Sequence, residues 1–237
     1  MDQPRKIRLN KFLAERLGVS RREADELISG GKVTVNGKAA ILGARIDFLD
    51  KVCYNRKIVP FETDFLYIAL NKPVGYVCSR RAQGTTPTLY ELLPKEYQKL
   101  KTVGRLDKDS SGLILLTNDG DFAFQMTHPK FHKEKIYKVT LDRPLEPLHQ
   151  QMISDYGIML DDGPSKFSII KDEPAEHTPK NATPQASYTV ILSEGRNRQI
   201  RRTFAALGYR VASLHRIQFG KYQLSGLKPG ECVIIKP

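Results

Sequence analysis

The run "VGRLDKDSSGLILLTNDG", Val103 to Gly120, gathers carboxylates in a chain whose net charge is +12. Asp107, Asp109 and Asp119 stand near Arg105 and Lys108, and three uses are open to them: holding a cation, closing turns, or doing chemistry. Asp107, Asp109, Ser111 and Gly112 match the opening of an EF-hand calcium loop. The match then fails, because the position that needs a bidentate Glu is Asn118 and "LILL" fills the middle of the loop. "DKDSSG" and "TNDGD" are rich in turn-closing residues, which accounts for Asp109, Asp119 and Asp121 as local scaffolding. Asp107 is set apart by the strand pattern that follows it. A carboxylate held by a tight turn at a strand edge is a candidate for chemistry, and it needs a nearby cation to stay ionised when partly desolvated.

The stretch "EGRNRQIRRTFAALGYRVASLHRIQFGK" offers that cation. From Gly195 to Lys221 it carries six arginines, one lysine and no acid. Ile200, Thr203, Phe204 and Leu207 form the apolar stripe of a docked helix. Arg198 and Arg202, four apart, share a face suited to phosphates. Arg201 lies nearer the docked stripe, and its planar guanidinium suits a bidentate pair with a carboxylate. Pattern alone leaves an Asp107–Arg201 pairing open. His128 and His132 read as polar loop residues, and no metal ligand set is expected.

These groups must be positioned by elements of two textures. In the first fifty residues, Leu9, Phe12, Leu13 and Leu17 mark an amphipathic helix. Ser20 and Glu23 have the spacing of a capping box that opens a second helix, stopped by Gly30 and Gly31. "KVTVNGKAA" then alternates into an Asn36-Gly37 hairpin turn. Arg8, Lys11, Arg21, Arg22, Lys32 and Lys38 gather in this module, a pattern that fits phosphate contact.

Residues 54–63 read as a linker broken by Pro60. Beyond it, "FLYIALNKPVGYVCS" is a strand-rich run interrupted by a turn at Asn71-Lys72-Pro73, where Lys72 either reaches RNA or flanks the turn. "TLYELLPKEYQKL" predicts a helix near Tyr90–Leu93, and "LEPLHQQMISDYG" another. "KIYKVTLD" predicts a strand with Tyr137, Val139 and Leu141 on one face. Further strands are expected at "KFSIIKD", "SYTVILSEG", "YRVASLHRIQFG" and "GECVIIKP", and the Asp172–Ala186 segment as a surface loop. Strands and helices do not alternate, so the expected class is α+β, with a largely antiparallel mixed sheet. The proposed division is 1–60 and 61–237.

Composition sets the setting. The charged start "MDQPRKIRLNKF" lacks a signal-peptide apolar region, and no apolar run is long enough to cross a bilayer. Cys53, Cys78 and Cys232 are odd in number and far apart, as in a reduced cytoplasmic protein. The positive charge favours nucleic acid over membrane.

"RLNKFLAERLGVSRREADELISGGKVTVNGKAA" resembles the small RNA-binding domain first described in ribosomal protein S4, over about residues 7–53. "NKPVGYVCS", "GRLDKDSSGLILLTNDGD", "KEKIYKV" and "EGRNRQIRRTFAALGY", in this order, resemble the motifs of bacterial RsuA-type pseudouridine synthases. The resemblance implies an S4-like domain followed by a catalytic domain that converts uridine to pseudouridine in ribosomal RNA. It implies Asp107 as the catalytic residue and Tyr137 against the target base. It further implies Arg201 paired with the carboxylate, Ile200 lining the pocket, and Arg105 filling the space left by the extruded nucleotide. Lys72, Arg198 and Arg202 are expected to join the small domain's cations in binding RNA.

The reaction breaks the nitrogen–ribose bond, turns the uracil and rejoins it through carbon 5. No cofactor is expected. The carboxylate attacks uracil carbon 6 or the ribose, or helps to remove a ribose proton, and the residues alone leave these routes open. The target base must leave its stack. The expected partner is ribosomal RNA or a subunit assembly intermediate, with no membrane, no obligate protein partner and a monomeric state. The rival reading is a catalytically silent RNA-binding or ribosome-assembly protein.

Overall fold

The computed structural model describes residues 6–61, 64–173 and 186–237. Most of the Asp172–Ala186 loop therefore lies outside the described residues. Two units are present, one formed by residues up to Leu66 with Lys99–Lys101 and Thr117–Gly120, the other by the rest.

In the first unit, helix α1 (Leu9–Arg16) buries Leu9, Phe12 and Leu13. Helix α2 (Arg21–Ser29) opens with the expected reciprocal cap: Glu23 N donates to the Ser20 hydroxyl at 3.1 Å, and Ser20 N donates to the Glu23 carboxylate at 2.6 Å. Its Ala24 and Ile28 meet the α1 side chains in one core. Strands Val33–Val35 and Lys38–Ala39 are joined through Asn36 and Gly37, at φ +52° and +81°, the left-handed pair that such a turn requires. A second hairpin, Val52–Tyr54 with Lys57–Ile58, occupies part of the stretch expected to be a linker. Asn55 and Arg56 turn it at φ +48° and +64°. An arginine in the left-handed region carries no turn signal in sequence. Arg8, Arg21, Arg22, Lys32 and Lys38 are exposed, while Lys11 is half-buried with its ammonium 3.9 Å from Glu15.

The second unit is organised by a nine-stranded sheet among the described residues. Its main path runs Ser168–Lys171, Ala186–Leu192, Lys135–Leu141, Val211–Phe219, Ser111–Thr117, Tyr67–Lys72 and Cys232–Ile234. The pairings are antiparallel from Ser168–Lys171 through to Val211–Phe219, and again between Cys232–Ile234 and Tyr67–Lys72. Val211–Phe219 runs parallel to Ser111–Thr117, through His215 opposite Ser111 and Arg216 opposite Gly112. This is the expected α+β class with a mixed, largely antiparallel sheet. Tyr137, Val139 and Leu141 are buried on one face, as their alternation predicts.

Helices are few. Beside α3 (Gly120–Thr127), α4 (Pro147–Gln151) widens into one π turn at Met152–Tyr156. Helix α5 (Gln199–Ala206) packs Ile200, Thr203 and Phe204 inward. The helix expected near Tyr90–Leu93 is a single 3₁₀ turn, Leu89–Leu92, because Pro94 cannot continue it. Lys72 is not in a turn: Asn71 and Lys72 complete the strand Tyr67–Lys72. Among the described residues no helix is long and apolar enough to cross a membrane.

Candidate active site

Asp107 sits in the turn that enters the strand Ser111–Thr117, closed by Ser110 N donating to Asp107 O at 3.1 Å. The "NKPVG" motif grips this turn from below. The Lys72 ammonium is fully buried and donates to the carbonyls of Pro73 at 3.0 Å, Asp107 at 3.1 Å and Ser110 at 2.7 Å. Gly75 N donates to Lys108 O at 2.8 Å. Burial lowers the Lys72 pKa. The sequence expectation that Lys72 binds RNA is corrected: the side chain is buried, and its charge is spent on the backbone that carries Asp107.

Sheet register places the opposite wall. Gly112, Arg216, Tyr137 and Val190 lie side by side on four neighbouring strands. Gly112 is required there: at φ +104°, a Cβ would stand 2.6 Å from Arg216 N and closer still to Arg216 O. The Asp107 turn is thereby held beside the strand that carries Tyr137.

Helix α5 closes the site from another side, and its arginines are arranged differently from the expectation. Arg201 does not hydrogen-bond to the Asp107 carboxylate. Its Nη2 donates to the Asp109 carbonyl at 2.7 Å, its Nη1 to the Val211 carbonyl at 3.0 Å, and its Nε lies 3.3 Å from the Asp109 carboxylate. Arg198 is the arginine nearest Asp107, with Nη1 3.7 Å from Oδ2, while it donates to both oxygens of Asp109 at 3.0 and 2.9 Å. Those bonds hold the Asp109 carboxyl below the usual carboxylate range. Asp109, expected to be turn scaffolding, is thus the anchor that two arginines share. Arg198 itself is left-handed, at φ +47° and ψ +30°, so the N-terminal end of α5 stores backbone strain next to the carboxylates. Arg202 forms a fork with Asp162, at 3.1 and 2.7 Å. Neither Arg198 nor Arg202 presents the unpaired guanidinium expected for phosphate.

Between these walls lies a cleft of about 370 Å³, within the range usual for small-molecule sites. Its lining includes Arg105, Asp107, Tyr137, Ile200, Leu214 and Phe219. Asp107 keeps a third of its side chain exposed, Arg105 is exposed, and Tyr137 and Ile200 are buried in the wall. The structure brings four of the five expected pocket and catalytic residues to this cleft, and Arg201 supports it from behind.

Among the lining residues that sequence reasoning missed are two cations, Lys135 and Arg216. Lys135 lies two residues before Tyr137, on the same face of its strand, and this alternation was the available signal. Arg216 gave none, since a strand arginine reads as a solvent-facing residue until its neighbours are known.

Residues 66–206 match the family model for RNA pseudouridylate synthase, and residues 7–41 match the S4 domain. The chain is 38% identical over 222 residues to ribosomal small subunit pseudouridine synthase A of Pasteurella multocida, covering 92% of this chain and 90% of that protein. It is 35% identical to ribosomal large subunit pseudouridine synthase B of Pseudomonas aeruginosa, over 90% of this chain and 55% of that one. A crystal structure of a pseudouridylate synthase, 32% identical, superimposes with a TM-score of 0.66 over 97% of this chain and 96% of its own. With one catalytic-domain match over more than half its length and relatives of this similarity, the chain belongs to the RNA pseudouridylate synthase family.

Proposed function

We propose that this chain isomerises uridine in ribosomal RNA to pseudouridine, with Asp107 as the reacting carboxylate. The observation that carries the reading is the convergence of Asp107, Tyr137, Ile200 and Arg105 on one cleft from four separate segments. Relatives that match over nine-tenths of both chains are named for the small ribosomal subunit, and its RNA is the proposed substrate.

In this reading the target nucleotide is extruded into the cleft. Arg105, exposed at the rim, fills the gap it leaves in the stack. Tyr137 and Ile200 clasp the uracil ring. Lys72 and Gly75 hold the Asp107 turn, while the Arg198–Asp109–Arg201 cluster gives the carboxylate a nearby cation and a fixed surround. Arg8, Lys11, Arg21, Arg22, Lys32 and Lys38 contact the phosphates of a structured RNA segment, so binding weakens steeply with salt. The enzyme acts in the cytoplasm as a monomer.

The test is tritium release from ribosomal RNA labelled at uracil carbon 5, with no added cofactor, for both subunit RNAs, naked and as assembly intermediates. Release from small-subunit RNA by the wild type, absent with Asp107→Asn, is the expected result. Tight binding without release from any of these RNAs overturns the reading.

A further inference from the structure

Two cations stand in the wall of the cleft without a carboxylate of their own. Arg216 is 2% exposed. Its Nε donates to Leu113 O at 2.7 Å, whereas Nη2 is buried with no hydrogen-bond partner. The Lys135 ammonium has only backbone carbonyls, those of Lys133 at 3.3 Å and Glu194 at 3.4 Å. The guanidinium and the ammonium both lie over the Phe219 ring, 4.9 and 5.2 Å from its centroid. Among the described residues neither cation forms an ion pair. The nearby Glu194 carboxylate lies 3.3 Å from Arg196 Nη2 and accepts a hydrogen bond from Gln199 Nε2.

Such an arrangement costs folding free energy. Burial, and then the Arg216 charge, pull the Lys135 pKa down to about 8. A buried donor left unmet beside a second desolvated cation, in the wall that also carries Tyr137, points to a ligand that brings oxygen acceptors and negative charge.

The isomerisation supplies that ligand. When the N1–C1′ bond breaks, its electron pair leaves with the uracil and spreads over N1, O2 and O4, while C1′ is taken by a carboxylate oxygen or C2′ gives up a proton. If the carboxylate instead adds to carbon 6, the displaced pair again resides on O4. C5 then gives a pair to C1′: the carboxylate leaves C1′ in the first route, C2′ regains its proton in the second, and the carboxylate leaves carbon 6 in the third; in each the C5 proton is lost and N1 gains one, so atoms and charge balance. The ring carries negative charge throughout the interval in which it turns.

We propose that Arg216 and Lys135 form a cationic floor for the base pocket, holding the uracil carbonyl oxygens and the negative charge of the ring while it is detached and turned. The assignment rests on the isomerase reading above. It also accounts for base choice: uracil offers two carbonyl acceptors to an all-donor floor, whereas cytosine presents an amine to one of the two.

The test is single-turnover tritium release at saturating enzyme from pH 6 to 9.5, for wild type, Arg216→Gln, Lys135→Met and Lys135→Arg, with RNA Kd measured alongside. Each neutral variant is expected to react about 100-fold more slowly, with Kd unchanged. The groups facing Lys135 are Arg216 on one neighbouring strand and Glu194 just beyond the end of the other, with Arg105, Asp107, Arg196, Arg198 and Tyr137 elsewhere in the cleft lining. Since the protonated amine is the working form, the wild-type rate should fall above about pH 8, and Lys135→Arg should remove that fall. If buried Arg216 tolerates no change, Lys135→Met and the alkaline fall decide. Neutral variants within about threefold of wild type, or rate losses matched by equal losses in Kd, overturn the proposal while leaving the isomerase intact. A wild type that releases no tritium from any ribosomal RNA overturns both.

Discussion

The Lys72 ammonium donates to the backbone carbonyl of Asp107 at 3.1 Å, although Lys72 ends a strand, Asp107 lies in the turn before another, and only Asp107 reaches the cleft. Removing the lysine takes a donor from three carbonyls, of which that of Asp107 keeps Ser110 N. Lys72→Met is expected to lower stability by about 2 kcal/mol or more, read as a lower denaturant midpoint. Turnover of the folded fraction should fall as well, because the turn that aims the carboxylate loses its support. RNA affinity should hold, which an RNA-contacting lysine would not allow.

Asp107 and Asp109 should separate cleanly. Asp107→Asn removes turnover and keeps RNA Kd. Asp109→Asn reduces turnover about tenfold, since it neutralises the shared anchor of Arg198 and Arg201 without altering Asp107. The Asp109 pKa is depressed in the folded state, so its stabilisation is present above the unfolded value and is lost as pH falls through the folded one. Urea midpoints of wild type and Asp109→Asn should therefore differ at pH 7, by about 1 kcal/mol or less for so exposed a pair, and converge in acid.

Gly112→Ala is expected to be among the most damaging single methyl additions in the chain. The new Cβ meets the Arg216 backbone where two strands run in parallel, and φ +104° adds backbone strain. A loss of about 3 kcal/mol, visible in thermal unfolding and soluble yield, is the expected outcome.

Lys135→Met should stabilise the protein while slowing it. The unfolded amine keeps its proton up to about 10.5 and the folded one only to about 8, so wild type carries the full cost of the buried charge below pH 8. That cost shrinks as pH rises between these values. Thermal unfolding should place the variant above wild type at pH 7 and bring the two together by pH 10.

Much of the fold was legible because its signals are local. The Ser20–Glu23 cap, the Asn36-Gly37 turn and the alternation of Tyr137, Val139 and Leu141 each lie within a few residues. The Asp107 and Arg201 positions came from motif order rather than from physics, and the partner expected for Arg201 was wrong by two residues along the turn. Lys72, Lys135 and Arg216 escaped for one reason. A charged residue in a strand is buried or exposed according to which strand lies beside it, and that pairing is not written nearby in sequence.

The strand Cys232–Ile234 lies against Tyr67–Lys72, the first strand of the catalytic unit in chain order. A ribosome making this chain delivers the helices and hairpins of the small unit long before that seam can close. Arg201 and Arg216 are themselves made late, after every segment they meet in the cleft. The nascent chain thus gains its RNA-gripping module first and its chemistry last, so an unfinished copy can occupy RNA without altering it.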